Sequence, residues 1–263
     1  MDECVEAARD YLPADALEHW TGLLRRSCRL RPLRPGETAA AVGRLGGNPR
    51  MPQDTAWPEW PGHGPLTFIA SLDCAALPTD DIDLALPATG TLLFFYFDGQ
   101  LDDGYEVVTA FDEETQPGAR VLYVPEGVPV VERAAPVTEG TGIRPHAEQV
   151  LAADLFVSAP AYDASGDYLE HEEAFSALAH DLGGDYPHHR VGGYALPMQH
   201  TVELEVAHDD HAQAREWLLL AQIDSDEDAA MVWGDGGRLF WLIRPQDLAE
   251  LRFDRARFTS QQC

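Results

Sequence analysis

A ten-residue segment that occurs twice restricts the fold of this chain more than any other feature. RLGGNPRMPQ at residues 44–53 and RVGGYALPMQ at residues 190–199 each begin with arginine, carry paired glycines and end with glutamine. Glycine adopts positive φ without a Cβ clash, and a residue that precedes proline is held extended. We therefore predict that both segments form turns of the same kind.

The residues that follow the two segments keep the same order. A strand-like run that ends in Asp comes first, and an acidic loop, a glycine and an aromatic run follow it. These runs are TFIASLD and GTLLFFY in the first copy, and LLLAQID and GRLFWLI in the second. An internal duplication with loops of unequal length explains this order. We predict half-repeats over about 40–135 and 186–263 within one domain that spans 1–263.

The chain mixes strands and helices without a regular β-α-β order. Amphipathic spacing broken at Pro13 predicts N-terminal helices over 1–27, and HEEAFSALAHDLGG predicts a helix that ends at its glycines. YEVVTAF (105–111) and ARVLYV (119–124) are typical of strands, and 126–150, rich in Pro, Gly and Thr, predicts a connector. The predicted fold class is α+β, with largely antiparallel sheets in two similar halves and a helical N-terminus.

The second copy also carries a family resemblance. HRVGGYALPMQ, the block LLLAQIDSDEDAAMVWGDGGRLFWLIRPQDL and the ending SQQC resemble the YwqG-like family, a bacterial domain family of unknown function. GGNPRMPQDTAWPEWPGHGPLTFIASLD and GTLLFFYF are similar to the N-terminal half of the same family. The resemblance implies an intracellular α+β unit of two similar halves, associated with bacterial toxin and immunity genes. It implies no reaction.

Charge restricts the partners. The chain has 45 acidic and 18 basic residues, a formal net charge of −27. Such a field repels phosphate backbones and anionic lipids, so we expect neither nucleic acid nor membrane binding, and we expect basic proteins to be favoured. No apolar run reaches the roughly 18 residues of a membrane helix, and the start MDECVEAARDYLP is unlike a signal peptide. We therefore predict a cytoplasmic protein.

The cysteines and one arginine-rich segment are both explained without a bound ligand. The four cysteines lie far apart with no C-x-x-C pair, which predicts free thiols and neither a zinc site nor a disulfide framework. We expect no cofactor. RRSCRLRPLR holds five of the 18 arginines and lysines. It is either an anion-binding patch or a set of arginines paired with the acidic surface, and we favour the pairing.

The acidic segment after LLLAQI is a candidate cation site. Asp224, Asp226 and Asp228, with Glu227 and Asp235 nearby, supply the hard oxygen ligands that suit calcium or magnesium. The spacing differs from an EF-hand loop, which needs Gly at position 6 and Glu at position 12. The alternative, which we favour, is a polar turn whose Asp side chains accept backbone N–H groups.

The two related segments supply the candidate ligand-binding residues. Each arginine can present its guanidinium to a carboxylate, either of a ligand or of the strand-ending Asp73 or Asp224, and an internal pair is favoured. The histidine before the second segment is expected to order the turn by hydrogen bonding in preference to a catalytic role. In a cleft between the halves the candidates would be Arg44, Gln53, His189, Arg190, Gln199 and Asp235.

No motif assigns a reaction, and we name no catalytic residue. The sequence contains no G-x-S-x-G, no P-loop and no G-x-G-x-x-G after a strand. The leading hypothesis is a noncatalytic binding protein whose acidic surface engages a basic partner protein, as an immunity protein does. The alternative is an enzyme or small-molecule binder with a cleft between the half-repeats.

Overall fold

The computed structural model of the chain describes residues 2–138, 141–163 and 167–262. Its helices are α1 (Asp2–Ala8), α2 (Ala14–Leu23), α3 (Glu172–Gly183), α4 (Val202–Val206), α5 (His211–Ala214) and α6 (Pro245–Ala249), with 3-10 helices at Thr79–Asp81, Glu113–Gly118, Leu169–His171 and Phe253–Arg255. The strands before the connector are β1 (Arg25–Pro32), β2 (Gly43–Leu45), β3 (Arg50–Met51), β4 (Glu59–Trp60), β5 (Gly64–Pro65), β6 (Thr67–Asp73), β7 (Thr91–Tyr96) and β8 (Ala119–Val124). The later strands are β9 (Val131–Glu132), β10 (Val137–Thr138), β11 (Thr141–Gly142), β12 (Gln149–Ser158), β13 (Arg190–Val191), β14 (Leu218–Asp224), β15 (Arg238–Ile243) and β16 (Arg257–Gln261).

Ten of these strands form one large sheet. Its order is β16-β15-β14-β13-β1-β12-β2-β6-β7-β8, and every neighbouring pair is antiparallel. The central pair, β1 and β12, is flanked on one side by β2, β6, β7 and β8 and on the other by β13 to β16. The predicted α+β class with antiparallel pairing is confirmed.

The sheet curls into a nearly closed barrel. Phe94 of β7 meets Trp241 of β15 with ring centroids 5.2 Å apart, so the two flanks share one apolar core. The side chain of Gln116, just before β8, donates to Phe258 O at 2.9 Å and accepts from Phe258 N at 3.0 Å. This amide takes the place of a strand neighbour for part of β16 and joins the two edges of the sheet.

The helices pack against different parts of the sheet: α3 contacts the central strand β12, and α4 contacts β15 and β16. Trp20 of α2 and Phe175 of α3 are fully buried together in a separate apolar cluster. Gly184 caps the end of α3 with φ of 71°, a left-handed conformation that glycine adopts without strain. Arg29 of β1 donates to the carbonyl of Gly183 there. Among the described residues, no helix is long and apolar enough to cross a membrane.

Three sequence predictions differ from this fold. The N-terminal helices end at Leu23, and the arginine-rich segment that follows is β1, in which Cys28 and Leu30 face the core with period two. YEVVTAF is not a strand, because side chains of Asp102 and Thr115 accept the backbone N–H groups that a ladder would use. The long strand β12 was not predicted, since its partner β1 lies over a hundred residues earlier in the chain.

Two of the four arginines of β1 pair with acidic side chains, so the pairing that we expected is found in part. Arg26 binds Asp83 with a contact of 3.1 Å, and Arg31 binds both Glu37 and Asp154. Cys4, Cys28 and Cys74 are free thiols, and Cys263 lies outside the described residues. Burial raises the pKa of Cys28 and of Cys74 to about 12, so both thiols are protonated at neutral pH.

Candidate functional site

The two glycine pairs adopt the same backbone conformation. Gly46 and Gly47 have φ of 59° and 68°, and Gly192 and Gly193 both have φ of 71°. The short strand before each pair lies next to the central strands and pairs with a strand that ends in Asp. The predicted turn chemistry is confirmed at both segments.

The arginines of the two segments have different surroundings. Arg44 donates to Glu148 Oε2 at 2.9 Å and to Asn48 O, and its side chain is 20% exposed. Arg190 is 3% exposed, donates to the carbonyls of His188 and Tyr194 at 3.3 Å each, and lies over the ring of Phe156. Burial lowers the pKa of Arg190 to about 10.

The strand-ending aspartates are not the partners of these arginines, so that prediction was wrong. Asp73 accepts from Ala75 N at 3.0 Å and caps the turn after β6. Asp224 forms its ion pair with Arg238, its neighbour on β15, at 3.3 Å. The Arg44 guanidinium binds Glu148 and the carbonyl of Asn48 instead. The Arg190 guanidinium binds the carbonyls of His188 and Tyr194.

Asp224 is the centre of a buried polar network. Its side chain has no solvent exposure, and it accepts from His188 N at 2.9 Å and from Gln222 Nε2 at 2.7 Å. His188 Nδ1 lies 3.1 Å from Asp224 Oδ2, and His188 Nε2 donates to Gly184 O at 2.9 Å. Burial acts to raise the pKa of Asp224, but the contacts with His188 and Arg238 hold it below its usual range.

His189 joins this network to the acidic turn. Its Nδ1 accepts from Asp224 N at 3.0 Å, so the proton of the neutral ring is on Nε2, which donates to Asp226 Oδ2 at 3.2 Å. The contact with His189 is the largest cause that lowers the pKa of Asp226. Both ring nitrogens of His188 and of His189 thus contact protein groups, and the two rings join the end of α3 and the acidic turn to Asp224.

The acidic turn is organised by hydrogen bonds. Asp226 Oδ1 accepts from Asp228 N at 2.9 Å and from Ala229 N at 3.2 Å, as a turn-forming Asp does. Asp228 is exposed. No group of three or more His, Cys, Asp or Glu side chains is arranged to hold a metal ion anywhere in the described chain.

The remaining candidates do not gather with these residues. Gln53 and Asp235 are exposed, and Gln199 donates from Nε2 to Gln262 O at 2.5 Å. Arg44 and Arg190 are three strand spacings apart in the sheet order, and the register also offsets them by four residues along β12. Of the six predicted ligand residues, no two are joined to each other by a hydrogen bond or ion pair in the part of the chain that the structure describes.

A groove of about 720 Å³ lies beside the network, between α3 and residues 197–201. Arg238 connects the two, because it pairs with Asp224, donates to Leu196 O at 2.7 Å and lines the groove. The other groove residues are carboxylates, imidazoles, small polar groups and apolar side chains: Glu172, Glu173, His180, His200, Ser176, Gln199, Thr201, Tyr162, Ala161, Ala177, Pro197 and Met198.

The sequence contained a signal for one wall of this groove. Glu173, Ser176, Ala177 and His180 recur at helical spacing on the face of α3 opposite the buried Phe175. The sequence thus indicates one polar wall. The facing wall is formed by residues 197–201, which include the end of the second glycine segment, and nothing in the sequence shows that these residues lie against α3. Among the predicted ligand residues, Gln199 lines the groove.

Comparison with known proteins places the chain in a family without naming a reaction. No curated protein matches the sequence. Residues 43–263 match the model of a family described as domain of unknown function (DUF1963), which is compatible with the resemblance to YwqG-like proteins. The match includes both glycine segments, the buried network and all the residues that line the groove, and α1, α2, β1 and the residues up to 42 precede it. The chain therefore belongs to the DUF1963 family.

Proposed function

We propose that the chain is a noncatalytic binding protein that holds a basic segment of a partner protein in the groove between α3 and residues 197–201. The observation that carries this proposal is the pair Glu172 and Glu173, which is exposed at the rim of the groove. Neither carboxylate has an ion-pair partner within the described residues. The ionisable groups under the groove floor, in contrast, contact one another.

The groove offers both contacts that a lysine or arginine side chain uses. Its aliphatic stem can lie on Ala177, Pro197 and Met198 while its charged end reaches the two rim carboxylates. Arg238 is the one cation in this lining, and its ion pair with Asp224 reduces its field. The net charge of −27 adds long-range attraction for a basic protein, which speeds association and weakens with salt.

Affinity capture from the native organism tests this proposal. The double variant Glu172→Lys/Glu173→Lys is compared with Asp80→Lys/Asp81→Lys, which changes the net charge equally at exposed carboxylates of another loop. The wild type and the loop variant should capture the same basic protein at low salt, and the groove variant should not. A carbodiimide cross-link between a partner lysine and Glu172 or Glu173 should locate the contact. Equal capture by both variants, or no partner at any salt, would contradict the proposal.

We also propose that the flanks of the sheet descend from one duplicated unit. The order β2, β6, β7, β8 on one side repeats as β13, β14, β15, β16 on the other, and a twofold axis between β1 and β12 would exchange them. The β6–β7 ladder shifts between Phe68 and Ala70, and the β14–β15 ladder between Leu219 and Ala221, which are the same distances before Asp73 and Asp224. Superposition of 43–96 on 189–243 tests this: displaced bulges or reversed strand directions would refute a common origin.

A further inference from the structure

A second cavity, which shares Tyr162 with the groove described above, lies between α2, the start of β1 and helices α4 and α5. Its volume is about 340 Å³, within the range of small-molecule sites. We propose that this cavity binds a small carboxylate that carries one aromatic ring. The proposal concerns a different surface from the groove and does not depend on the basic partner.

The walls of the cavity suit a planar apolar ring. Tyr162, Tyr194 and Trp217 line it together with aliphatic side chains. Tyr194 is held in place, because its hydroxyl donates to Leu23 O at 2.8 Å. Aromatic side chains fixed by packing and a hydrogen bond form the offset or edge contacts that bind a ligand ring without further ordering.

Arg25 supplies the positive charge for the carboxylate. Its guanidinium lies over the Tyr194 ring, 4.2 Å from the centroid, and it lines the cavity. Its neighbour Arg26 is paired with Asp83, whereas Arg25 has no ion-pair partner in the described chain. Arg215 lines the same cavity. In a chain with only 18 basic residues, the Arg25 guanidinium at an aromatic cavity, without an ion-pair partner among the described residues, favours an anion over a cation.

The acidic residues of the cavity have contacts within the protein. Asp163 lies 3.0 Å from His19 Nε2, and it also accepts from the backbone of Asp167 and Tyr168. Glu203 is buried, and its burial is the largest cause that raises the pKa of this carboxyl. A raised pKa means that this carboxyl group gives up its proton less readily than an exposed one, so burial opposes a further negative charge in the cavity.

Titration with benzoate and with indole-3-acetate tests the site, with acetate and benzylamine as controls that lack the ring or the negative charge. Calorimetry should show saturable binding of at least one aromatic carboxylate with Kd below about 1 mM, and no saturable binding of either control. Arg25→Gln should weaken binding about tenfold or more, whereas Arg26→Gln should leave the Kd unchanged. Arg25→Lys, which keeps the charge but loses the planar fork, should give an intermediate Kd.

Tryptophan fluorescence locates the bound probe, because Trp217 lies in the cavity wall. The wild type should show a fluorescence change on binding, and Trp217→Phe should bind the probe with most of that change lost. Each variant is first checked for a cooperative thermal transition. Absence of saturable binding to both aromatic carboxylates, equal Kd values for the Arg25→Gln and Arg26→Gln variants, or a full fluorescence change in Trp217→Phe would each overturn the proposal.

Discussion

The two glycine segments share a backbone conformation and differ in almost everything that surrounds it. At the first, Arg44 is partly exposed and paired with Glu148. At the second, Arg190 is buried beside the network of His188, Asp224 and Arg238. The comparison shows that a local sequence determines a turn, whereas the polar partners of the turn depend on which other parts of the chain cover it.

The covering elements account for the difference. The first turn contacts the segment just before β12, where Gly47 N donates to His146 O at 3.0 Å. The second turn lies under the end of α3, whose Gly184 carbonyl accepts from His188, and against the serines of the two central strands. Because a helix excludes water from the second turn, its ionisable groups have to be satisfied by one another.

Substitution of the two strand-ending aspartates should give the largest difference between the turns in the free energy of unfolding. Asp224→Ala leaves Arg238 and His188 buried without their carboxylate, and we expect a loss of about 3–5 kcal/mol in the free energy of unfolding. Asp73→Ala removes one exposed turn hydrogen bond, and we expect a loss of about 1 kcal/mol. Urea unfolding of both variants measures this. Equal losses would mean that the buried network adds nothing to stability.

The glycines give the next largest contrast. In Gly193→Val the new Cβ clashes with Ser158 Oγ and lies 2.7 Å from Ser27 Oγ, on the central strands, at positive φ. In Gly47→Val the Cβ meets Glu148 Oε2, the end of a flexible side chain, at 2.7 Å. We expect losses of about 3 kcal/mol and about 1–2 kcal/mol in the free energy of unfolding. A larger loss in Gly47→Val, again by urea unfolding, would contradict this interpretation of the packing.

The sequence predicted what is local and missed what joins distant parts of the chain. Period-two and apolar runs identified β6, β7, β8, β14 and β15, and helical spacing identified α3, because these patterns depend on neighbouring residues only. The pairing of β1 with β12 was not predicted, because the partner of Cys28 is Leu155, more than a hundred residues later in the chain. At the network, the sequence analysis selected His189 and Asp224 but not His188 or Arg238. His188 acquires its role from its contact with the end of α3, and Arg238 acquires its role from the pairing of β15 with β14.

Acid should destabilise the contact between the acidic turn and His189, just before the second glycine segment, through Asp226. Its pKa is lowered in the folded protein, so the contribution of its contacts to stability is present above the unfolded pKa of about 4 and is lost as the pH falls through the folded pKa. Glu203 and Glu205 have raised pKa values and act with the opposite sign above about pH 4.5, so the measurement belongs below pH 4.

The test compares urea unfolding of the wild type and Asp226→Asn at several pH values in that window. Because asparagine does not titrate, the wild type should lose about 1 kcal/mol more of its free energy of unfolding than the variant between about pH 4 and pH 2. Parallel pH curves for the two proteins would show that the contact with His189 does not hold the Asp226 carboxylate in its ionised form.

The smallest expected effect is at Arg44, and it tests whether the first turn really lacks a buried network. The Arg44–Glu148 contact is 2.9 Å long, but the Glu148 side chain is 51% exposed, so water and salt screen the pair. A double-mutant cycle with Arg44→Gln and Glu148→Gln should give a coupling energy of about 0.5 kcal/mol, and less in 1 M salt. The backbone hydrogen bond from Gly47 N to His146 O does not involve either side chain, so both variants keep it. A coupling of about 2 kcal/mol that resists salt would place this arginine among the buried pairs, and the contrast between the two turns would then lie in their hydrogen-bond partners and not in their exposure to water.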